Sequence, residues 1–333
     1  MADLLTMAVP GATLKLDPFQ GTVCDLRFAC DDGWLTPLDD SAADLLPDPA
    51  PARQPVTEWP GGGPFLCSGD PAPRGWRADS PWIVEELVQT RDAVAGRFTL
   101  GRRPKGARVE RELCLQGNVP LLYQSHWLSG GRGRLPVTHP AMLRLSEGDL
   151  LSLSPKCSAT VNSGPDGRER DFDLTKFVAD GGALDLNPFS LFGEAVSCIR
   201  FAEMSGRTLG WTAVLRARQR DIVFLLKDCA SLPVTTLWVS DEAPDDARAW
   251  GRGLLVGLAD ARGRARKGRG RTAGHLELAP DRCHMIRHVI GAIPRPDGWR
   301  AVRDIRLEGA SLLIHGDSGT PVVLPFEPGF FDA

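Results

Sequence analysis

The sequence predicts an all-β protein, one large twisted antiparallel β-sandwich with few short helices. Three observations predict it. Short stretches alternate apolar and polar residues, with turn signals roughly every 10 to 15 positions between them. Gly 36 and Pro 27 make about 19% of the 333 residues, a share that favours many turns between short strands. No long stretch carries a helical period, and Ala243 to Ala249 holds at most one helical turn.

The elements follow in chain order. Ala12 to Leu16 and Val23 to Phe28 alternate and are bounded by Gly, Pro or Asp, so both are strands. Residues 39–63 are rich in Asp, Ala and Pro and predict a long loop. Strands then follow at Trp82 to Val88, Arg97 to Leu100, Arg108 to Leu115 and Leu121 to Leu128. The same texture recurs at Thr208 to Ala217, Asp221 to Lys227, Val234 to Ser240 and Ser311 to His315. His284 and His288 are four apart among Ile286, Val289 and Ile290, a strand pattern that puts both on one side. No repeat divides the chain, so residues 1–333 are expected to form a single sandwich domain that buries a large core.

Composition narrows the function classes. With 24% charged residues and a formal net charge of −3, the chain offers no field for nucleic acid or an anionic membrane. Six basic residues between Arg262 and Arg271 form a local patch. No aromatic residue interleaves with them, which fits a solvated loop better than a phosphate site. The eight cysteines are scattered without a C-x-x-C pair, so they are expected to be free thiols in a reducing compartment. The N-terminus lacks a basic segment followed by an apolar one, and no apolar run nears 18 residues, so a cytoplasmic protein is expected. There is no P-loop, no G-x-S-x-G, no H-E-x-x-H and no G-x-G-x-x-G opening a helix. No cofactor and no metal are expected.

Two segments about 60 residues apart carry the most information: Arg74-Gly75-Trp76-Arg77-Ala78-Asp79-Ser80-Pro81-Trp82 and Pro136-Val137-Thr138-His139-Pro140-Ala141-Met142-Leu143. Leu237-Trp238-Val239-Ser240, Val256 to Asp260 and Leu278 to Arg282 follow in order. This ordered set resembles the aldose 1-epimerase, or galactose mutarotase-like, superfamily over about residues 10 to 325. The resemblance implies a sandwich whose concave face holds a sugar. It also implies proton transfer that opens and closes the pyranose ring, which needs an acid and a base on opposite sides of the hemiacetal.

Carried over residue by residue, the resemblance puts His139 on the catalytic histidine, here the acid. Arg74 falls where the family has a second histidine that helps hold the sugar. Arg282 falls on the family's carboxylate base, and Asp281 beside it is the candidate base. Arg74, Trp76, His126 and Arg282 are the candidate substrate-binding residues, and two arginines there would suit an acidic sugar. Each has a plainer reading as well. His139 could cap a turn, Arg74 could be a surface residue, Asp281 suits a turn for backbone reasons, and Trp76 and His126 could be core. Two functions follow: an epimerase-like protein binding a sugar or acidic sugar derivative, or a non-catalytic carbohydrate-binding protein on the same scaffold.

Overall fold

The computed structural model describes residues 4–19, 21–38, 66–67, 81–135, 137–146, 148–163, 168–171, 173–174, 183–185, 196–239, 254–262 and 276–332. The loop expected over 39–63, the helical turn over 243–249 and the basic run beyond Arg262 lie outside the described residues, apart from Leu254 to Arg262, which are strand.

Strands are numbered along the chain. β1 (Leu5–Val9), β2 (Ala12–Asp17), β3 (Thr22–Cys30) and β4 (Gly33–Leu35) form an antiparallel meander. A nine-stranded sheet runs β15 (Ala183–Asp185), β12 (Leu150–Leu153), β17 (Leu209–Arg216), β18 (Asp221–Asp228), β22 (Cys283–Pro294), β9 (Leu121–Gly130), β8 (Ala107–Gln116), β7 (Ala93–Leu100) and β6 (Trp82–Gln89). A seven-stranded sheet runs β14 (Arg168–Asp171), β13 (Lys156–Ser163), β16 (Val196–Glu203), β19 (Val234–Val239), β20 (Leu254–Arg262), β11 (Val137–Leu145) and β5 (Leu66–Cys67). β10 (Gly133–Leu135) pairs with β21 (Leu276–Leu278), and β23 (Val302–Glu308), β24 (Ser311–Gly316) and β25 (Val322–Pro325) form a last small sheet. All pairings are antiparallel, and the helical structure among these residues includes a 3₁₀ turn at Pro104–Gly106. Each strand expected from alternation is present with bounds moved by a few residues, and others, among them β1, β12, β13, β16 and β23, are added to them.

Two cores explain the burial patterns. The larger joins the inner face of the nine-stranded sheet (Leu113, Leu122, Val223, Ile290) to Ala141, Leu143, Phe201 and Leu237 of the seven-stranded sheet and Leu14 and Phe28 of the meander. The smaller joins its outer face (Tyr123, Phe224, Leu226, Val289) to Trp299, Ile305, Leu312 and Ile314 beside and within the C-terminal sheet. The central strand β18 is therefore covered on both faces, and Asp221 to Lys227 are all buried. Each such Leu or Phe contributes about 1.5–3 kcal/mol through area removed from water. Against this background, a few polar residues sit in phase with the apolar inner face: Arg111 on β8, Gln124 and His126 on β9, Lys227 on β18 and His288 on β22.

Candidate functional site

Strand register gathers these residues. Across the nine-stranded sheet Arg111 lies opposite His126, and His288 lies opposite Gln124 on one side and Lys227 on the other. On the facing seven-stranded sheet, β11 brings His139 into the same buried space. The His139 and His288 rings are stacked, with centroids 4.1 Å apart and planes 21° from parallel. His126 meets His139 edge-on at 5.5 Å. Gln124 Oε1 is 3.3 Å from His139 Nε2 and accepts a 2.8 Å hydrogen bond from Arg111 Nη2. His126, His139, His288 and Gln124 are all fully buried, and Arg111 is 1% exposed. The His139 backbone lies opposite Asp260 on β20, which in turn lies opposite Thr235 on β19.

A glycine turn anchors the cluster. Arg111 Nη1 donates to the carbonyl of Gly21. Gly21 has φ +70°, and a Cβ there would come within 2.1 Å of Trp82 Nε1. The left-handed conformation and the close indole together call for glycine at this position. The turn between β2 and β3 is thereby tied to the histidine cluster.

Burial sets the electrostatics. It pushes the His139 imidazolium well below the ordinary histidine range, and the neighbouring His288, His126 and Arg111 add to the effect. His126 is lowered in the same way, first by burial and then by Arg111 and His288, against a backbone hydrogen bond at Ile286. Both rings are therefore neutral at pH 7. Arg111 is pushed down to about 9 by burial, so it remains a cation at neutral pH. Its hydrogen-bond acceptors, the Gly21 carbonyl and Gln124, are both neutral. Three buried polar atoms of the cluster have no hydrogen-bond partner among the described residues: Arg111 Nε, Gln124 Nε2 and His139 Nδ1.

A second polar group adjoins it through Lys227. Lys227 Nζ is 3.0 Å from Glu203 Oε1 and donates to Thr235 Oγ1 at 2.7 Å. Lys156 Nζ donates to the same Glu203 oxygen and to Ser154 Oγ. All three charged side chains are 2% exposed or less. One carboxylate thus binds two ammonium groups inside the sandwich, an arrangement whose Coulomb gain must offset a large desolvation cost.

The expected site residues divide. His139 and His126 lie in the cluster. Arg74 and Trp76 lie outside the described residues. Asp281 and Arg282 are exposed, in the turn that ends in a 3.0 Å hydrogen bond from Arg282 N to the Ala279 carbonyl. From Cys283 to His288 the strand runs five steps, about 16 Å at strand rise, and Asp281 lies beyond that. Asp281 therefore lies beyond the end of β22 that is remote from His288, the residue stacked on His139. His284 and His288 share a side as expected, yet His284 Nε2 donates to the Glu277 carbonyl at 2.8 Å while His288 stacks on His139. Among the described residues no group of three or more His, Cys, Asp or Glu is placed to hold a metal, and no helix is long and apolar enough to cross a membrane.

Sequence reasoning missed Arg111, Gln124 and His288 as members. The available signal was phase: each polar side chain falls on the same strand parity as buried Leu or Ile neighbours.

No family model matches the chain, and no curated protein matches it. Solved structures do. A galactose mutarotase related enzyme from Lactobacillus acidophilus superposes with a TM-score of 0.59 at 10% identity, over 89% of this chain and 99% of that one. A putative mutarotase from Salmonella typhimurium gives 0.56 at 10% identity, over 88% and 91%. A putative aldose 1-epimerase from Escherichia coli K12 gives 0.52 at 12% identity, over 87% and 99%. At such identities the likeness concerns the fold: this chain has the β-sandwich of galactose mutarotase-like proteins, as the order of its segments implied.

Proposed function

Taking the mutarotase-like sandwich as the premise, we propose that this protein binds a sugar or acidic sugar derivative at the inner face of the nine-stranded sheet and acts as an aldose 1-epimerase-like isomerase. The observation that carries the reading is the convergence of His139 with His126, His288, Gln124 and Arg111 in one buried polar cluster. Three of its polar atoms lack partners among the described residues, and a polyhydroxylated ring is the kind of ligand that supplies them. Opening a cyclic hemiacetal requires a proton to leave the anomeric hydroxyl and another to reach the ring oxygen. His139 is the group here suited to exchange one of them.

Polarimetry on freshly dissolved α-anomers tests the reading. Equilibration should run faster than in buffer, and His139→Gln should bring it back to the buffer rate. Asp281→Asn should leave it unchanged, because Asp281 lies on an exposed turn away from His139. A second reading, a non-catalytic carbohydrate-binding protein, is favoured by that same displacement of Asp281. Measurable sugar binding by calorimetry without acceleration would establish it in place of the first. Titrations with neutral sugars and uronates separate the two ligand classes.

A further inference from the structure

We propose that Arg111, acting through Gln124, holds His139 as its Nε2–H tautomer, so that Nδ1 is the ring atom left to accept a hydrogen bond from a ligand hydroxyl. The ligand half of this statement rests on the function proposed above; the tautomer half does not.

The argument starts from an ambiguity that chemistry resolves. The two ends of a glutamine amide have the same shape, and only their partners distinguish them. A guanidinium carries donors alone. The Gln124 atom 2.8 Å from Arg111 Nη2 is therefore the carbonyl oxygen, because the opposite orientation would set N–H against N–H. A carbonyl oxygen only accepts. The His139 nitrogen 3.3 Å away is consequently a favourable partner only when it bears the proton, and that nitrogen is Nε2. A neutral ring carries one proton, so Nδ1 holds a lone pair. Nδ1 is buried and has no hydrogen-bond partner among the described residues.

Neutrality has its own support. Among the described residues, His126, His288 and Arg111 oppose a positive charge on the ring and Gln124 carries none; burial opposes it most. The carbonyl of His139 itself works in the other direction and would favour a proton on Nδ1. The tautomer is thus decided by competition between that carbonyl and the Gln124 oxygen, and Arg111 settles the competition by fixing the amide. Arg111 is held in turn by the Gly21 carbonyl. It is a positioning residue. The order of segments implied a histidine that donates a proton to a ring oxygen; the geometry assigns it the opposite polarity, an acceptor facing a hydroxyl.

Long-range 1H–15N spectra of the imidazoles, recorded at pH 7.5 on the full-length 15N-labelled chain, test this. The His139 signals are identified by their loss in His139→Gln. The expected spectrum has a protonated, pyrrole-type Nε2 and a bare, pyridine-type Nδ1. Arg111→Met and Gln124→Leu should each move His139 toward the Nδ1–H form, and Arg111→Lys, still a pure donor, should restore Nε2–H. If Arg111→Met does not fold, Gln124→Leu carries the comparison. A wild-type ring that is Nδ1–H or doubly protonated, or a tautomer unmoved by Gln124→Leu, overturns the assignment. Adding a sugar that binds should shift Nδ1. A bound sugar that leaves Nδ1 unmoved overturns the acceptor role and leaves the tautomer standing, and absence of any binding defeats the function proposed above while the tautomer result stands by itself.

Discussion

Acid should unfold this protein through its buried histidines, and the size of the effect follows from His126 and His139. Both have folded-state pKa values lowered well below 6.5. In the unfolded chain they titrate near the ordinary value of about 6.5. Below that pH the unfolded state binds protons that the folded state refuses, so stability is present above 6.5 and is lost as pH falls through and below it. For one such group the linkage relation makes the loss between pH 7.5 and 5.5 on the order of 1 kcal/mol. Two groups lose on the order of 2–3 kcal/mol, a sizeable part of a typical stability of about 5–15 kcal/mol. Urea unfolding at pH 7.5 and 5.5 measures it. Other groups titrate across the same range, so the informative quantity is the difference between wild type and the double variant His126→Gln/His139→Gln. The double variant should lose on the order of 2–3 kcal/mol less than wild type over this interval, and each single variant on the order of 1 kcal/mol less. Equal losses in wild type and double variant would refute the reasoning, because the rings would then be as easily protonated folded as unfolded.

Two further outcomes concern the supports of the site. Glu203→Gln leaves the Lys156 and Lys227 ammonium groups buried without their shared carboxylate, and should cost about 3–5 kcal/mol in chemical denaturation. Gly21→Ala combines a left-handed backbone with a methyl driven into the Trp82 indole. It should cost about 1–3 kcal/mol or more in thermal unfolding, and the tryptophan fluorescence of the folded state should change as the indole moves.

The strands were legible in the sequence because alternation is a local property. Arg108 to Leu115 shows it plainly, and β8 buries one parity of that stretch. The site was only half legible. His139 could be placed by the order of segments, and His126 by its parity with Gln124. Arg111 was missed although it shares its parity with Val109 and Leu113, because a charged side chain on an otherwise apolar face reads locally as an interruption of the pattern and says nothing about its partners. The contacts that make the cluster run between strands far apart in sequence and between two different sheets, and alternation carries no information about either. Asp281 is the converse case. A neighbourhood in an ordered set of segments suggested a base, yet β22 carries that turn several residues away from the ring that stacks on His139.

The position of β22 between β18 and β9 also has a bearing on how this chain is made. Ser129 and Cys283 touch across the β9–β22 seam although 154 positions separate them. While a ribosome is still short of residue 283, β9 and β18 each present an unpaired edge, and such edges invite pairing with other chains. The histidine cluster cannot exist at that stage, since His288 has yet to be synthesised. The last long strand to emerge therefore closes the sheet and completes the site in one event. A chain released early would be a hazard of aggregation before it was a loss of activity.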